Sequence, residues 1–341
     1  MKIRNFRNTG LLLFILLLVN NLKAQSITIL QQDKPTSIRG LSVVDDNVAW
    51  ISGSKGYIAI TRNGGETWDW QQVKGFEKSD FRDIEAFSDK EAIIMSSGTP
   101  ALILKTVDGG ANWQVKYKNT DTAYFFDAME FTSKQNGYVL GDPIAGQFVL
   151  MQTKDGGDLW QASDNPPEAL PGEASFAASG TCLALNLTRE NIAVVTGGSN
   201  TRLIFRNNDQ TEWHYENLPI QHGKPSQGAF SMVCGYKSIV IVGGNYSQDK
   251  LNDSTACFIK FDNNPEFKLT TNSTTGFQSC VEYITEQTFL STGTPGSNIT
   301  TDGGKTWTKI DNTSFNVCRK AKRGKLVLLA GNGGKIGVLK M

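Results

Sequence analysis

The chain has 341 residues, 34 of them Lys or Arg and 33 Asp or Glu, with only two histidines, 34 glycines and five cysteines. So even a balance carries no basic excess or stripe for nucleic acid and no polybasic patch for a membrane surface. Two histidines and widely spaced, odd-numbered cysteines (Cys182, Cys234, Cys257, Cys280, Cys318) fit neither a disulfide framework nor the ligand spacing of a metal site. No cofactor or metal is expected.

The N-terminus places Lys2, Arg4 and Arg7 ahead of an unbroken apolar run, Leu11 to Val19, that ends at Asn20-Asn21-Leu22-Lys23-Ala24. That run is too short for a hydrocarbon core needing roughly 20 residues, and Ala24 is a small residue suited to signal peptidase. Residues 1–24 therefore read as a cleavable signal peptide, and 25–341 as one exported domain, secreted or periplasmic. Removing the leader leaves 30 basic against 33 acidic residues. No cysteine follows the expected cut closely, so no stable membrane anchor is predicted.

From residue 26 on, one motif dominates. Thr61-Arg-Asn-Gly-Gly-Glu-Thr-Trp68, Thr106-Val-Asp-Gly-Gly-Ala-Asn-Trp113, Thr153-Lys-Asp-Gly-Gly-Asp-Leu-Trp160 and Thr300-Thr-Asp-Gly-Gly-Lys-Thr-Trp307 share the pattern Thr-x-Asp/Asn-Gly-Gly-x-x-Trp. Worn copies end at Trp213 and Phe267, so five of the seven tryptophans occupy this one position. Each residue type suits a tight turn between strands. The Asp or Asn side chain accepts backbone N–H groups just ahead of it, and Gly supplies positive φ. Asp108, Asp155 and Asp302 have the spacing of calcium ligands, but turn capping accounts for them.

Upstream of each turn lie two apolar strands, the second closing on a glycine, and a third strand that runs into the turn. The closing glycine recurs at Gly53, Gly98, Gly141, Gly197, Gly243, Gly293 and Gly331. Repeats of this length signal a repeat architecture. Seven such glycines predict an all-β, seven-bladed β-propeller of four-stranded antiparallel blades. The last blade lacks its own outer strand, and the strand-like segment Ser26 to Gln31 is placed to complete it and close the ring.

The turn resembles the Asp-box (BNR) repeat of sialidases, sortilin-type receptors and photosystem II assembly factors, over essentially all of residues 26–341. Blade number and the wording at 300–307 are most similar to the assembly-factor group. The resemblance implies a propeller and says little about activity, since one fold carries many functions.

Function is expected on the face opposite the turns. Aligning blades one to three sets Arg39, Arg82 and Phe126 at one position near the channel mouth, and Gly40, Asp83 and Asp127 at the next. Asp142, Arg202 and Glu173 lie on loops of that face. One reading is a pocket in which arginines hold an anionic ligand with carboxylates at its rim; the other pairs Arg39 with Asp83 and Arg82 with Asp127 as salt bridges between blades. A glycosidase would need two carboxyls, from Glu173 with Asp127 or Asp142, and a sialidase an arginine triad such as Arg39, Arg82 and Arg202. The expected function is a monomeric, non-enzymatic scaffold for a protein or peptide partner. The alternative is a glycoside hydrolase or sugar-binding propeller acting on a glycan.

Overall fold

A computed structural model describes residues 25–185, 191–207, 210–261 and 265–341; the predicted signal peptide lies outside them. Strands dominate, and one three-residue 3₁₀ turn, Tyr246–Gln248, is the sole helical element among the described residues. Seven antiparallel sheets follow one another in chain order. Blade one is built from Ile38–Val43, Ala49–Gly53, Tyr57–Thr61 and Asp69–Gln72, and the later blades repeat that order from channel to rim. First strands of consecutive blades touch around a full circle, and the strand of blade seven, Val317–Lys320, meets that of blade one. This is a closed seven-bladed propeller.

Closure uses the N-terminal strand as expected. Ser26–Gln31 pairs antiparallel with Ile336–Lys340 in the register Ser26 to Lys340, and becomes the outer strand of blade seven. The first and last described strands are thereby tied into one sheet, and blade seven has no missing strand.

The blades are held together by apolar side chains packed between neighbouring sheets. Trp50 and Ile58 of blade one pack with Phe81, Ile94 and Leu102 of blade two, and the Trp50 indole donates across the gap to the Ser88 carbonyl at 2.9 Å. The motif turns reinforce these seams. Thr106 Oγ1 accepts the Gly110 N–H at 3.0 Å, and Asp108 accepts the Asn112 N–H at 2.9 Å. The same two bonds recur at Thr153 with Asp155, at Thr300 with Asp302, and at Thr61 with Asn63. Both turn glycines adopt positive φ, and Gly110 sits against Trp50 and Ile58 of the preceding blade. Trp307 is buried at 2% exposure.

The closing glycine of the second strand has a steric cause in blades one and three, whereas a Cβ at Gly98 of blade two would meet nothing within 4 Å. A Cβ at Gly141 would lie 2.5 Å from the Phe125 carbonyl oxygen, and one at Gly53 2.6 Å from that of Ser37. In each case the clash is with the residue leading into the blade's first strand, where a β-bulge crowds the backbone.

One blade departs from the pattern. Glu173–Ala174, from the long connection between blades three and four, pairs with Gly197–Gly198, which in turn pairs with Lys224–Cys234. Blade five thus belongs to a six-stranded sheet reaching over the channel. Cys182, Cys257, Cys280 and Cys318 are buried free thiols, and Cys234 is half-buried.

Candidate functional site

The bulges at the start of the first strands create the site. In blades one, two, three and five the ladder skips one residue, between Ile38 and Gly40, Phe81 and Asp83, Phe126 and Ala128, and Ala229 and Ser231. The skipped residues are Arg39, Arg82, Asp127 and Phe230, and all four line one cavity of about 570 Å³ at the channel mouth. This corrects the alignment expected from sequence: Asp127, not Phe126, is equivalent to Arg39 and Arg82. Phe126 is fully buried core. Two adjacent aromatics, Phe125 and Phe126, made either register possible on apolar pattern alone.

The floor of the cavity is the chain itself. Residues 174–178 run across the channel, with Ala177 and Ala178 buried, and their carbonyls accept from Arg82 Nη1 at 3.5 Å and Arg39 Nη1 at 3.3 Å. Next along the segment, the Ser179 carbonyl accepts from Arg319 Nη2 at 3.4 Å, and Gly180 lies against the Asp83 carboxylate at φ 69°. The crossing segment separates the mouth from a second chamber of about 260 Å³ lined by Asp83, Glu130, Glu282 and Arg319.

The two sides of the mouth differ in chemistry. Blades one to three contribute Arg39, Arg82, Asp127 and Asp142. Opposite them, Phe176 of the crossing segment stacks on Phe230 at 3.8 Å between centroids, Phe277 meets Phe230 edge-on at 4.7 Å, and Tyr246, half exposed, borders both. Sequence reasoning missed this aromatic wall. Its members come from the connection, from the first strand of blade five and from loops beside blades five and six, far apart in the chain, and only Phe230 falls at the repeated bulge position.

The salt bridges envisaged between blades do not form. Arg82 Nε instead pairs at 2.7 Å with Asp80 of its own strand and its guanidinium covers the Phe125 ring. Asp83 turns into the wall and accepts the N–H groups of Ile84 and Met129 at 2.8 and 2.7 Å. Arg39, half-buried, donates to the Ala178 carbonyl and makes no ion pair among the described residues. Burial, with Arg82 close by, lowers its pKa against a smaller opposing pull from Asp80.

Asp127 is the least compensated group. It is fully buried, and neither carboxylate oxygen has a hydrogen-bond partner of ordinary geometry, although the Ala177 N–H is near enough to favour the ionised form a little. Burial first, then neighbouring Asp142, pushes its pKa well above the carboxylate range; Arg82 only partly offsets this. Asp142 accepts the Ser175 N–H at 3.3 Å and is itself pushed up to about 6 by burial. The Ser175 hydroxyl is also buried without a partner. Buried polar atoms are ordinarily bonded, so three orphaned oxygens in one cavity single it out.

Glu173 and Arg202 do not join this cavity. They bind each other through Arg202 Nε to Oε1 at 2.8 Å and Nη2 to Oε2 at 2.5 Å, with Thr196 Oγ1 and the Leu170 N–H also donating to Glu173. Every lone-pair direction of Glu173 facing the protein is thus occupied, so neither the arginine triad nor a Glu173 carboxyl pair is assembled. The bridge anchors the base of the crossing segment.

These features define a β-propeller of seven BNR-type blades with a closed channel and a polar and aromatic mouth. Within that class the chain resembles the photosystem II assembly factors. The family model described as photosynthesis system II assembly factor YCF48 matches residues 20–120. The curated photosystem II assembly lipoprotein Ycf48 of Synechococcus sp. (strain CC9902) is 28% identical over 127 residues, a stretch covering 36% of this chain and 35% of that protein. Among solved structures, YCF48 bound to D1 peptide superposes with a TM-score of 0.65 at 16% identity, over 93% of this chain and 97% of the other. YCF48 from Cyanidioschyzon merolae gives 0.65 at 15%, covering 92% and 98%. Virginiamycin B lyase from Staphylococcus aureus gives 0.66 at 12%, over 93% and 99%. At such identities the structural likeness speaks for the fold alone.

Proposed function

We propose that this chain is an exported, non-enzymatic scaffold that holds a segment of a protein or peptide partner in the channel mouth. The observation that carries the reading is Arg39, a half-buried guanidinium without a carboxylate partner, beside Arg82 and across the cavity from an aromatic wall. Binding pockets of this size combine an apolar surface with a few converging polar groups, and a guanidinium fits a carboxylate. The crossing segment blocks passage through the channel, so a ligand sits on the mouth and does not thread. Support also comes from the relatives, one named as an assembly lipoprotein and one solved with a bound D1 peptide. Export rests on the leader-like residues 1–24 and on that relative's being named a lipoprotein; in this chain the first cysteine is Cys182, well past Ala24.

Affinity capture from the native host, comparing wild type with an Arg39→Ala/Arg82→Ala variant, tests the reading. A stoichiometric partner held by wild type and reduced about tenfold or more in the variant is expected, since charge-assisted bonds of this kind contribute about 1.5–3 kcal/mol each. Equal retention by both proteins removes the mouth from the account. The hydrolase alternative now rests on Asp127 and Asp142 alone. Sugar release by wild type, and its loss in Asp127→Asn, is the result that would favour it.

A further inference from the structure

The mouth holds two kinds of uncompensated ionisable group, and only one is accounted for by an anionic ligand. Arg39 calls for an acceptor. Asp127 calls for a donor: it lies at the position the first two blades fill with arginine, fully buried, lining the cavity, with both oxygens unbonded. Asp142 and the unpartnered Ser175 hydroxyl line the cavity beside it. Among the described residues no lysine, and no arginine besides Arg39 and Arg82, lines the cavity, and Arg82 is already committed to Asp80. A ligand that brought only negative charge would satisfy Arg39 and leave the carboxyl pair as it is.

We infer that the mouth pocket recognises a peptide segment carrying both signs of charge, with a lysine-type ammonium received by Asp127 and Asp142, a carboxylate by Arg39, and an apolar side chain against Phe176, Phe230 and Phe277. The inference rests on the reading above that this pocket binds a peptide, and extends it to the class of segment bound. The layout matches: charged groups come from blades one to three, and the aromatic wall lies opposite. An ammonium donates up to three hydrogen bonds, enough for both carboxyls and the Ser175 hydroxyl. A bond between ionised partners in a water-poor site is stronger than a neutral one. Specificity arises in the same way, because a ligand without the cation leaves buried acceptors unpaired.

The probes are N-acetyl-Lys-Phe with a free C-terminal carboxylate and N-acetyl-norleucyl-Phe, which keeps that carboxylate and lacks only the ammonium, titrated calorimetrically into the protein. Wild type is expected to prefer the lysyl peptide by about ten- to a hundredfold, the range set by a charged buried hydrogen bond. Asp127→Asn should erase that preference while leaving the norleucyl affinity within about twofold, and Asp142→Asn should reduce it in part. Melting curves of both variants keep a folding defect from passing as a binding effect. A wild-type preference that persists in both variants, or no preference in wild type, overturns the inference. Equal binding of the two peptides by wild type, lost in Arg39→Ala, would leave the peptide reading standing while the cation inference falls. Binding of neither peptide overturns both.

Discussion

The two faces of the ring use the same chemical groups to opposite ends. On the turn face Asp108, Asp155 and Asp302 are each bonded to backbone N–H groups and to a threonine hydroxyl, and hydrogen bonding holds their pKa below the ordinary value, against burial in the case of Asp302. At the mouth Asp127 has no hydrogen bond of ordinary geometry, only the marginal approach of the Ala177 N–H, and burial drives its pKa up. A satisfied carboxylate in a repeated place builds the fold, whereas an orphaned one in a single place, in a cavity, points to a ligand. The motif that makes the architecture legible therefore lies away from the residues proposed to hold a ligand.

The largest effects should come from groups that are paired or packed. Glu173→Ala strands the Arg202 guanidinium, only 9% exposed as a side chain, and breaking a buried pair from one side costs about 3–5 kcal/mol. Trp307→Ala on the turn face should cost about the same through the cavity it leaves. Chemical denaturation measures both, and a loss under about 1 kcal/mol in either would break the distinction drawn between building and binding groups. Arg39→Ala is the counterpart: with one long bond to a carbonyl, it should change stability by no more than about 1 kcal/mol while weakening partner capture.

An intermediate effect should appear in the pH dependence. Asp127 titrates near 3.8 when unfolded and well above that when folded, so between those values the native state binds the extra proton. Stability from this group is then greatest at low pH and falls as pH rises toward the folded value. Asp83, pushed to about 7 by burial despite Arg319, and Glu282, pushed to about 8 by burial despite Arg319, slope the same way. Asp127→Asn should remove its share, so that the variant gains on wild type as pH is raised. Melting temperatures across that range, with the two curves staying parallel, would show that Asp127 carries no such penalty.

How much of this could be read in advance follows from the range of the interactions. Turn residues signal themselves because Thr61, Asn63, Gly65 and Trp68 interact within eight positions, and the pattern repeats. Closure by Ser26–Gln31 was also legible, because a four-strand period that stops one strand short at residue 341 needs an edge from elsewhere. The mouth was legible only in part. Arg39 and Arg82 were found by alignment, but a one-residue bulge decided whether Phe126 or Asp127 stood beside them, and composition does not encode a bulge. The Glu173–Arg202 bridge and the Phe176–Phe230 stack join residues 29 and 54 positions apart through a non-repeating connection. Only the folded chain brings them together.

The smallest effect is the most discriminating test of the turn face. Blade one already carries Asn63 where the other intact turns carry Asp, and Asn63 Oδ1 accepts the Thr67 N–H at 3.0 Å while its Nδ2 donates to Thr67 Oγ1 at 2.9 Å. In blade six the corresponding hydroxyl runs the other way, Thr306 Oγ1 donating to Asp302 Oδ2 at 2.6 Å. A hydroxyl can reverse its role, so Asp302→Asn should keep both bonds and cost under about 0.5 kcal/mol, whereas Asp302→Ala loses the acceptor and should cost about 1–2 kcal/mol, as loss of a cap does. Equilibrium unfolding of the two variants separates them. If Asn proved as costly as Ala, the negative charge itself would be needed in the turn, and the turn carboxylates could no longer be set apart from the mouth as purely structural.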